Sequence, residues 1–508
     1  MTFNSQRNLT AAPDEEWFDP LWYQARYPDV DLSGLDPREH YDRIGRRLGR
    51  HGSPQASDEQ KLASVDLARH HLITLFGEPG LPDLVRRDVL STQMFDEAWY
   101  RERYDLVIHD DPLADYFASS RDGFERDPGP LFSTKLYLAL HPQSDTLHPL
   151  QHYSQHGISQ GLPAISCNKA NAFLDNSTLS NLTALERFFD RSAPIAVLHW
   201  EDGNFFFTDI ARYTAELLVD LGFEATVHTA DDHLDHDATT LLVVAPHEYC
   251  AYGPGKNWAK ERAASAIYVN TEQWHTSWFA LAFAALRRSG KVLDINPAAA
   301  AAFARLGMTA GFLPLLPLPG SCFDFARAPL SPEICKSRAI LPLSYSDTFS
   351  DRDYDVLFVG ALSERRSQAL AALAPTLAEF DNFIHCPALG GPVKPGQADM
   401  LSSSDFSQLA RNARILLNIH QGESHYFEWH RMFLSGMMEG CVVVTEPSSR
   451  TGLLIPDVHY IEASLQDMPR VLLSLLTTPR GRKRLATIHA NCMDLRVRVA
   501  QGERFFIP

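Results

Sequence analysis

Cysteine is scarce in this chain: 7 residues among 508, at Cys167, Cys250, Cys322, Cys335, Cys386, Cys441 and Cys492. Their odd number and wide scatter exclude a disulfide frame and a zinc knuckle, and imply reduced thiols. No apolar run reaches the roughly 18 residues of a membrane span. The opening stretch MTFNSQRNLTAAPDEEW carries no apolar segment of the secretory kind, so no signal peptide is expected. Positive charge is in deficit, since 46 Lys and Arg against 63 Asp and Glu leave a formal charge of −17. Proteins that grip a phosphate backbone carry a basic face. No nucleic-acid partner is therefore expected, which still leaves room for a local basic pocket. The deficits together imply a soluble, cytoplasmic protein. No basic amphipathic helix argues for a lipid surface, and peripheral membrane contact through an acceptor stays open.

What is present is ordinary globular material, 45% hydrophobic and 21% charged, in a chain too long for one core. The first 165 residues hold a recurring aromatic pattern: FDPLWYQARYPDV (18–30), FDEAWYRERYDLV (95–107) and FSTKLYLALHPQS (132–144), each followed by a second Tyr and a Gly. Phe18 to Tyr41 spans 23 positions, and Phe95 to Tyr116 and Phe132 to Tyr153 span 21 each. Fixed spacing marks a repeated unit of two short helices. Asp19, Asp96 and Ser133 suit N-caps, and Gly45, Gly123 and Gly157 suit helix stops. The aromatics are read as small cores, with a sugar-binding platform as the alternative. Residues 1–165 are assigned to scaffolding or contact with protein partners.

Beyond residue 190 the texture becomes short β-rich runs alternating with helical segments: IAVLHW (195–200), TTLLVVAPHE (239–248), SAIYVNTEQ (265–273) and GKVLDINP (290–297). A Pro- and Ser-rich stretch over 316–352 reads as a connector. YDVLFVG (354–360), DNFIHCPA (381–388), ARILLNIH (413–420), GCVVVTE (440–446) and HYIEA (459–463) form a second set, with terminal helices over 465–500. Such alternation predicts α/β folding as two doubly wound, Rossmann-like parallel sheets. The expected domains are a helical region over 1–165, sheets over 190–345 and 350–485, and a tail over 486–508.

Candidate site residues lie where strands should end. In VLFVGALSERR the strand stops at Gly360, Ser363 can cap the next helix, and Arg365 and Arg366 place guanidinium charge where a diphosphate would sit. The stretch is neither GxGxxG nor a Walker loop. NIHQGESHYFEWHRMFLSGMMEGCVVVTE (418–446) sets Glu428 and Arg431 between two strands, with Glu446 at the tip of the second. The local alternative for Glu428 and Arg431 is an i,i+3 ion pair on an exposed turn. In EDGNFFFTDIARY, Asp202, Gly203 and Asn204 form a loop before a helix, and Glu272 stands at another strand end. The run HTADDHLDHD (228–237) looks metal-like but fits a solvated loop better.

Four stretches, 201–225, 266–279, 355–370 and 427–446, resemble glycosyltransferases of the GT-B class, which use a nucleotide-sugar donor. The likeness covers roughly 190–485 and points to the bacterial group 1 and spore-coat-type members. The front repeats look similar to segments fused to enzymes of cell-surface polysaccharide synthesis. The resemblance implies a metal-independent hexosyltransferase with no cofactor, acting on a glycan, lipid-linked glycan or protein acceptor. It implies that Glu428 orients the donor, that Arg431 with Arg365 and Arg366 neutralises the departing diphosphate, and that Gly203, Asn204, Gly360, Ser363 and Glu446 contribute to the donor site. Asp202 or Glu201, with Glu272 as a second candidate, would serve as base if the reaction inverts. Many retaining members carry two glutamates eight positions apart; here Phe427 and Ser435 hold those places. Retention or inversion stays open, and so do a GT-B-shaped epimerase or phosphorylase and a non-catalytic scaffold.

Overall fold

Strands of three to six residues with almost no polar alternation must be covered on both faces, which parallel sheets with crossover helices provide. The structure is a computed structural model describing residues 18, 20, 23–24, 30, 35–45, 83–92, 94–107, 111–119, 126–141, 147–177, 179–235, 238–321, 323, 330, 343, 346, 348–387, 400–501 and 503. The first sheet comprises β1 (Ile195–Leu198), β2 (Ala225–His228), β3 (Thr240–Val244), β4 (Ile267–Asn270), β5 (Lys291–Asp294) and β6 (Thr309–Phe312), in the order β2-β1-β3-β4-β5-β6. The second comprises β7 (Tyr354–Val359), β8 (Asn382–His385), β9 (Ala413–Asn418), β10 (Val442–Thr445) and β11 (Tyr460–Glu462), in the order β11-β10-β9-β7-β8. Every pairing is parallel; Ile195, for example, lies between Ala225 and Thr240. The fold is α/β, two Rossmann-like sheets joined to a helical region, which is the GT-B layout.

The carboxyl ends of the two sheets meet. Asn296, just past β5, donates from Nδ2 to the Phe427 carbonyl at 2.7 Å. Trp429 Nε1 donates to the Leu315 carbonyl, just past β6, at 3.1 Å. Ser403 Oγ donates to Asp209 Oδ2 at 2.8 Å. One apolar core runs through both sheets, and another joins the opposite face of the first sheet to front-region residues from Val89 to Leu174. The front helices thus share their core with the first sheet.

In each front segment the Phe and two Tyr rings touch one another, with centroids 5.1–6.2 Å apart. The first Tyr hydroxyl then bonds the residue just before the second Tyr: Tyr23 to His40 at 3.1 Å, Tyr100 to Asp115 at 2.8 Å, Tyr137 to His152 at 2.8 Å. The rings are packed inward as cores. Asp96 caps its helix by accepting from Trp99 N, whereas Ser133 makes no side-chain cap bond. Gly157 is helical rather than a stop; a Cβ there would collide with the rings of Tyr153 and Tyr137, and the turn is ended by Gly161 at φ +64°. Asp19 and Gly123, and most of the connector over 316–352, fall outside the described residues.

At the chain's rear, one helix runs Pro479–Ala500 straight through the expected division at 485/486, burying Leu485, Ile488, Cys492, Leu495 and Val499. Among the described residues no helix is long and apolar enough to cross a membrane.

Candidate active site between the sheets

A cleft of ≈ 230 Å³ opens between the carboxyl ends of the sheets. Its walls come from Asn204 and Phe206 of the first domain and from Gly360, His385, Ser402 and Arg431 of the second. Two helix starts face it. Asn204 caps the helix Phe205–Asp220 by accepting from Phe206 N, and Ser402 and Asp405 form a reciprocal cap on the helix Ser403–Arg411. Both ends bring free N–H groups and partial positive charge, which favour an anion.

Arg431 is the fixed charge in that wall. It sits on a π-helical turn, His430–Leu434; the chain then passes through Gly436 to a 3-10 turn and leaves by Gly440 at φ +82°. The residue is 7% exposed, and its Nε and Nη2 have no hydrogen-bond acceptor. Burial pushes its pKa down to about 10, against the pull of Glu428. A buried donor set left open in this way is costly unless a ligand completes it.

Glu428 lies 3.9 Å from Arg431 Nε and 3.7 Å from Arg366 Nη2. The i,i+3 pair is therefore present, but it is buried, not on an exposed turn. Burial alone would raise the Glu428 pKa; the two guanidinium groups outweigh it and hold the carboxylate low. A Cβ at Gly360 would come within 3.0 Å of Arg431 Nη1 and 3.1 Å of Arg366 Nη1, so the guanidinium groups would have to give by a few tenths of an ångström.

The other arginines are engaged by protein. Arg366 donates from Nε to the Ile419 carbonyl at 2.9 Å and from Nη1 to the Ala361 carbonyl at 3.1 Å. Arg365 makes a two-point pair with Glu446, at 2.8 and 2.5 Å, and also reaches the His420 carbonyl. Burial raises the Glu446 pKa, but this pairing and the His420 N–H hold the carboxylate low. Ser363 caps its helix by accepting from Arg366 N and donates to the Gln421 carbonyl at 3.2 Å. These four residues brace the loops behind Arg431.

On the first-domain wall, Asn204 N donates to Glu248 Oε2 at 2.9 Å. Gly203 is buried against the same carboxylate, where a Cβ would clash, and Asp202 is exposed in the adjoining loop. Glu272 stands 3.4 Å from His247 Nε2, and burial together with the Glu248 carboxyl pushes its pKa up to about 8. A carboxyl poised near neutrality suits proton transfer. Asp209, hydrogen-bonded by Ser403, is also raised by burial. Sequence reasoning passed over Ser402 and Ser403, although their S-S-S-D run is a legible cap signal.

The HTADDHLDHD run departs from a plain solvated loop. Asp231 is buried, pairs with Arg262 and accepts from the Tyr249 hydroxyl at 3.3 Å; His236 and Asp237 lie outside the described residues. Among the described residues no group of three His, Cys, Asp or Glu could hold a metal ion.

No family model matches the chain, and no curated protein matches it. Several solved structures are similar to it. Anabaena HepE in complex with UDP-glucose is 13% identical with a TM-score of 0.36, over 61% of this chain and 97% of that one. An alpha-glucosyltransferase in complex with UDP is 10% identical with a TM-score of 0.36, over 61% and 100%. An alpha1,3-fucosyltransferase with GDP-fucose is 12% identical with a TM-score of 0.30, over 63% and 88%.

Proposed function

We propose that the chain is a metal-independent glycosyltransferase that moves a hexose from a nucleotide-sugar donor to a hydroxyl acceptor in cell-surface polysaccharide or glycoconjugate synthesis. The observation that supports it best is the buried Arg431 guanidinium, open on Nε and Nη2 and lining a cleft between two helix starts. A donor diphosphate would complete those bonds.

In this reading the bond between the sugar's anomeric carbon and the diphosphate oxygen breaks with its electron pair going to the diphosphate. Arg431 and the helix starts stabilise the charge as it develops, a contribution on the order of several kcal/mol in preorganised sites. Glu428 holds Arg431 in place and accepts from donor hydroxyls. Arg365, Arg366, Ser363 and Glu446 keep the supporting loops fixed, and Gly203, Asn204 and Gly360 let backbone approach the phosphates. The acceptor oxygen bonds to the anomeric carbon and gives its proton to a first-domain carboxyl, Glu272 or Asp202, in an inverting reaction.

Thermal-shift and calorimetric titration with UDP, GDP, TDP and CMP, followed by donor hydrolysis with the matching sugars, tests the reading. At least one nucleotide should raise the melting temperature, and its sugar should be turned over. Absence of binding by all four sinks the proposal.

A further inference from the structure

Two large aromatic side chains stand out of the first-domain surface beside the carboxyl cluster. Tyr252 is 53% exposed and Trp278 is 47% exposed, with ring centroids 6.4 Å apart at an interplanar angle of 73°. Trp278 is held at the start of the helix Ser277–Ser289, which Thr276 caps. Its ring lies 5.8 Å from that of His247, which in turn lies 5.2 Å from Phe207. Phe207 adjoins Phe206 of the cleft wall. The aromatic shelf is thus linked to the donor cleft through the buried rings of His247 and Phe207.

The polar floor of the shelf is incomplete. His247 is 2% exposed, and its Nδ1 has no hydrogen-bond partner. Its Nε2 faces Glu272, whose side chain is still 19% exposed. The principal charges acting on Glu272 are the carboxyl groups of Glu248 and Asp294. Burial keeps His247 uncharged, with its pKa pushed down to about 3.

We propose that Trp278 and Tyr252, with His247 and Glu272 beneath them, form the acceptor subsite, and that it takes a neutral sugar residue at the end of a glycan. The inference rests on the glycosyltransferase reading and names its acceptor class. A pyranose has one C–H-rich face, which packs on an exposed ring and removes apolar area from water. Its hydroxyls, as donors and acceptors, satisfy both an imidazole nitrogen and a carboxyl group. A phosphate or carboxylate on the acceptor would instead meet an uncharged imidazole and carboxyl groups that burial raises, with no guanidinium or ammonium among the described groups acting on them to pair its charge.

The probes are immobilised neutral oligosaccharides of gluco, galacto and manno type, printed beside phosphorylated and sialylated glycans. Full-length wild type should bind neutral glycans, with UDP or GDP present. Trp278→Ala and Tyr252→Ala should each weaken that binding at least about tenfold, which is ~1.4 kcal/mol, while Trp278→Phe should retain most of it. Both positions are exposed, so the variants should melt with the wild type. Unchanged binding by both alanine variants, preference for the phosphorylated or sialylated spots, or no neutral glycan bound overturns the inference. Failure of the donor reading shows separately, as a wild type whose melting temperature no nucleotide raises.

Discussion

Arg431→Met should make the empty protein more stable and at the same time blind to nucleoside diphosphates. Burial lowers the Arg431 pKa from 12.5 to about 10. At about 1.4 kcal/mol per unit, the charged form is penalised by roughly 3 kcal/mol. The sign is that of a base whose folded pKa lies below its unfolded value. The penalty is therefore in force everywhere below about pH 10, and acid does not relieve it. Methionine fills similar volume without charge, and Glu428 keeps Arg366 at 3.7 Å as its partner. The expected gain is about 1–3 kcal/mol, read by urea denaturation without ligand. On the ligand side, the lost charge-assisted bonds are worth about 2–3 kcal/mol. Calorimetric Kd values for UDP or GDP should therefore rise by roughly 30- to 150-fold. A variant less stable than wild type that binds within about threefold of it would refute both halves of the reasoning.

Three further outcomes are expected. Glu428→Ala strips the carboxylate from two buried guanidinium groups and should cost about 3–5 kcal/mol in urea, with Glu428→Gln milder; equal stability of wild type and Ala variant contradicts the buried pairing. Burial raises the Asp294 carboxyl to about 8 despite hydrogen bonds from Asn270 and Asn296. Its neutral form stabilises the fold fully below about pH 4, and that contribution is lost as pH rises through about 8. Wild-type melting temperature should therefore fall from pH 5 to 9 more steeply than that of Asp294→Asn, and parallel profiles would contradict this. Tyr137→Phe deprives buried His152 of its partner and should cost about 1 kcal/mol, with no change expected in nucleotide binding.

Nearly all the strands were legible because parallel strands buried on both faces read as unbroken apolar runs. IAVL, TLLVV and VVVT are each almost wholly buried. β6 escaped notice, and the reason is local. TAGF holds little apolar volume, and Gly311 sits where a Cβ would strike Phe188 and Leu293. Strand ends located Arg431, Gly360 and Asn204 at the cleft, because loops at those ends follow from topology. Side-chain pairing was not legible. That Arg365 is spoken for by Glu446, 81 positions away, while Arg431 is left open depends on the tertiary path of the loops. Likewise Gly157 looked like a helix stop by spacing, yet it serves to let two tyrosine rings approach.

The amide of Asn171 reaches the other end of the molecule. Its Nδ2 donates to the Glu423 carbonyl at 3.1 Å, and its Oδ1 accepts from His425 N at 2.9 Å. The helix bearing it, Cys167–Asp175, also packs on the helix Pro297–Arg305 of the first domain. A single short helix thereby staples the chain just ahead of Glu428 to the opposite half. Any hinge motion that widens the crevice must either carry this staple along or break both hydrogen bonds of the Asn171 amide at once, so the seat of the front helix limits how far the jaws can part.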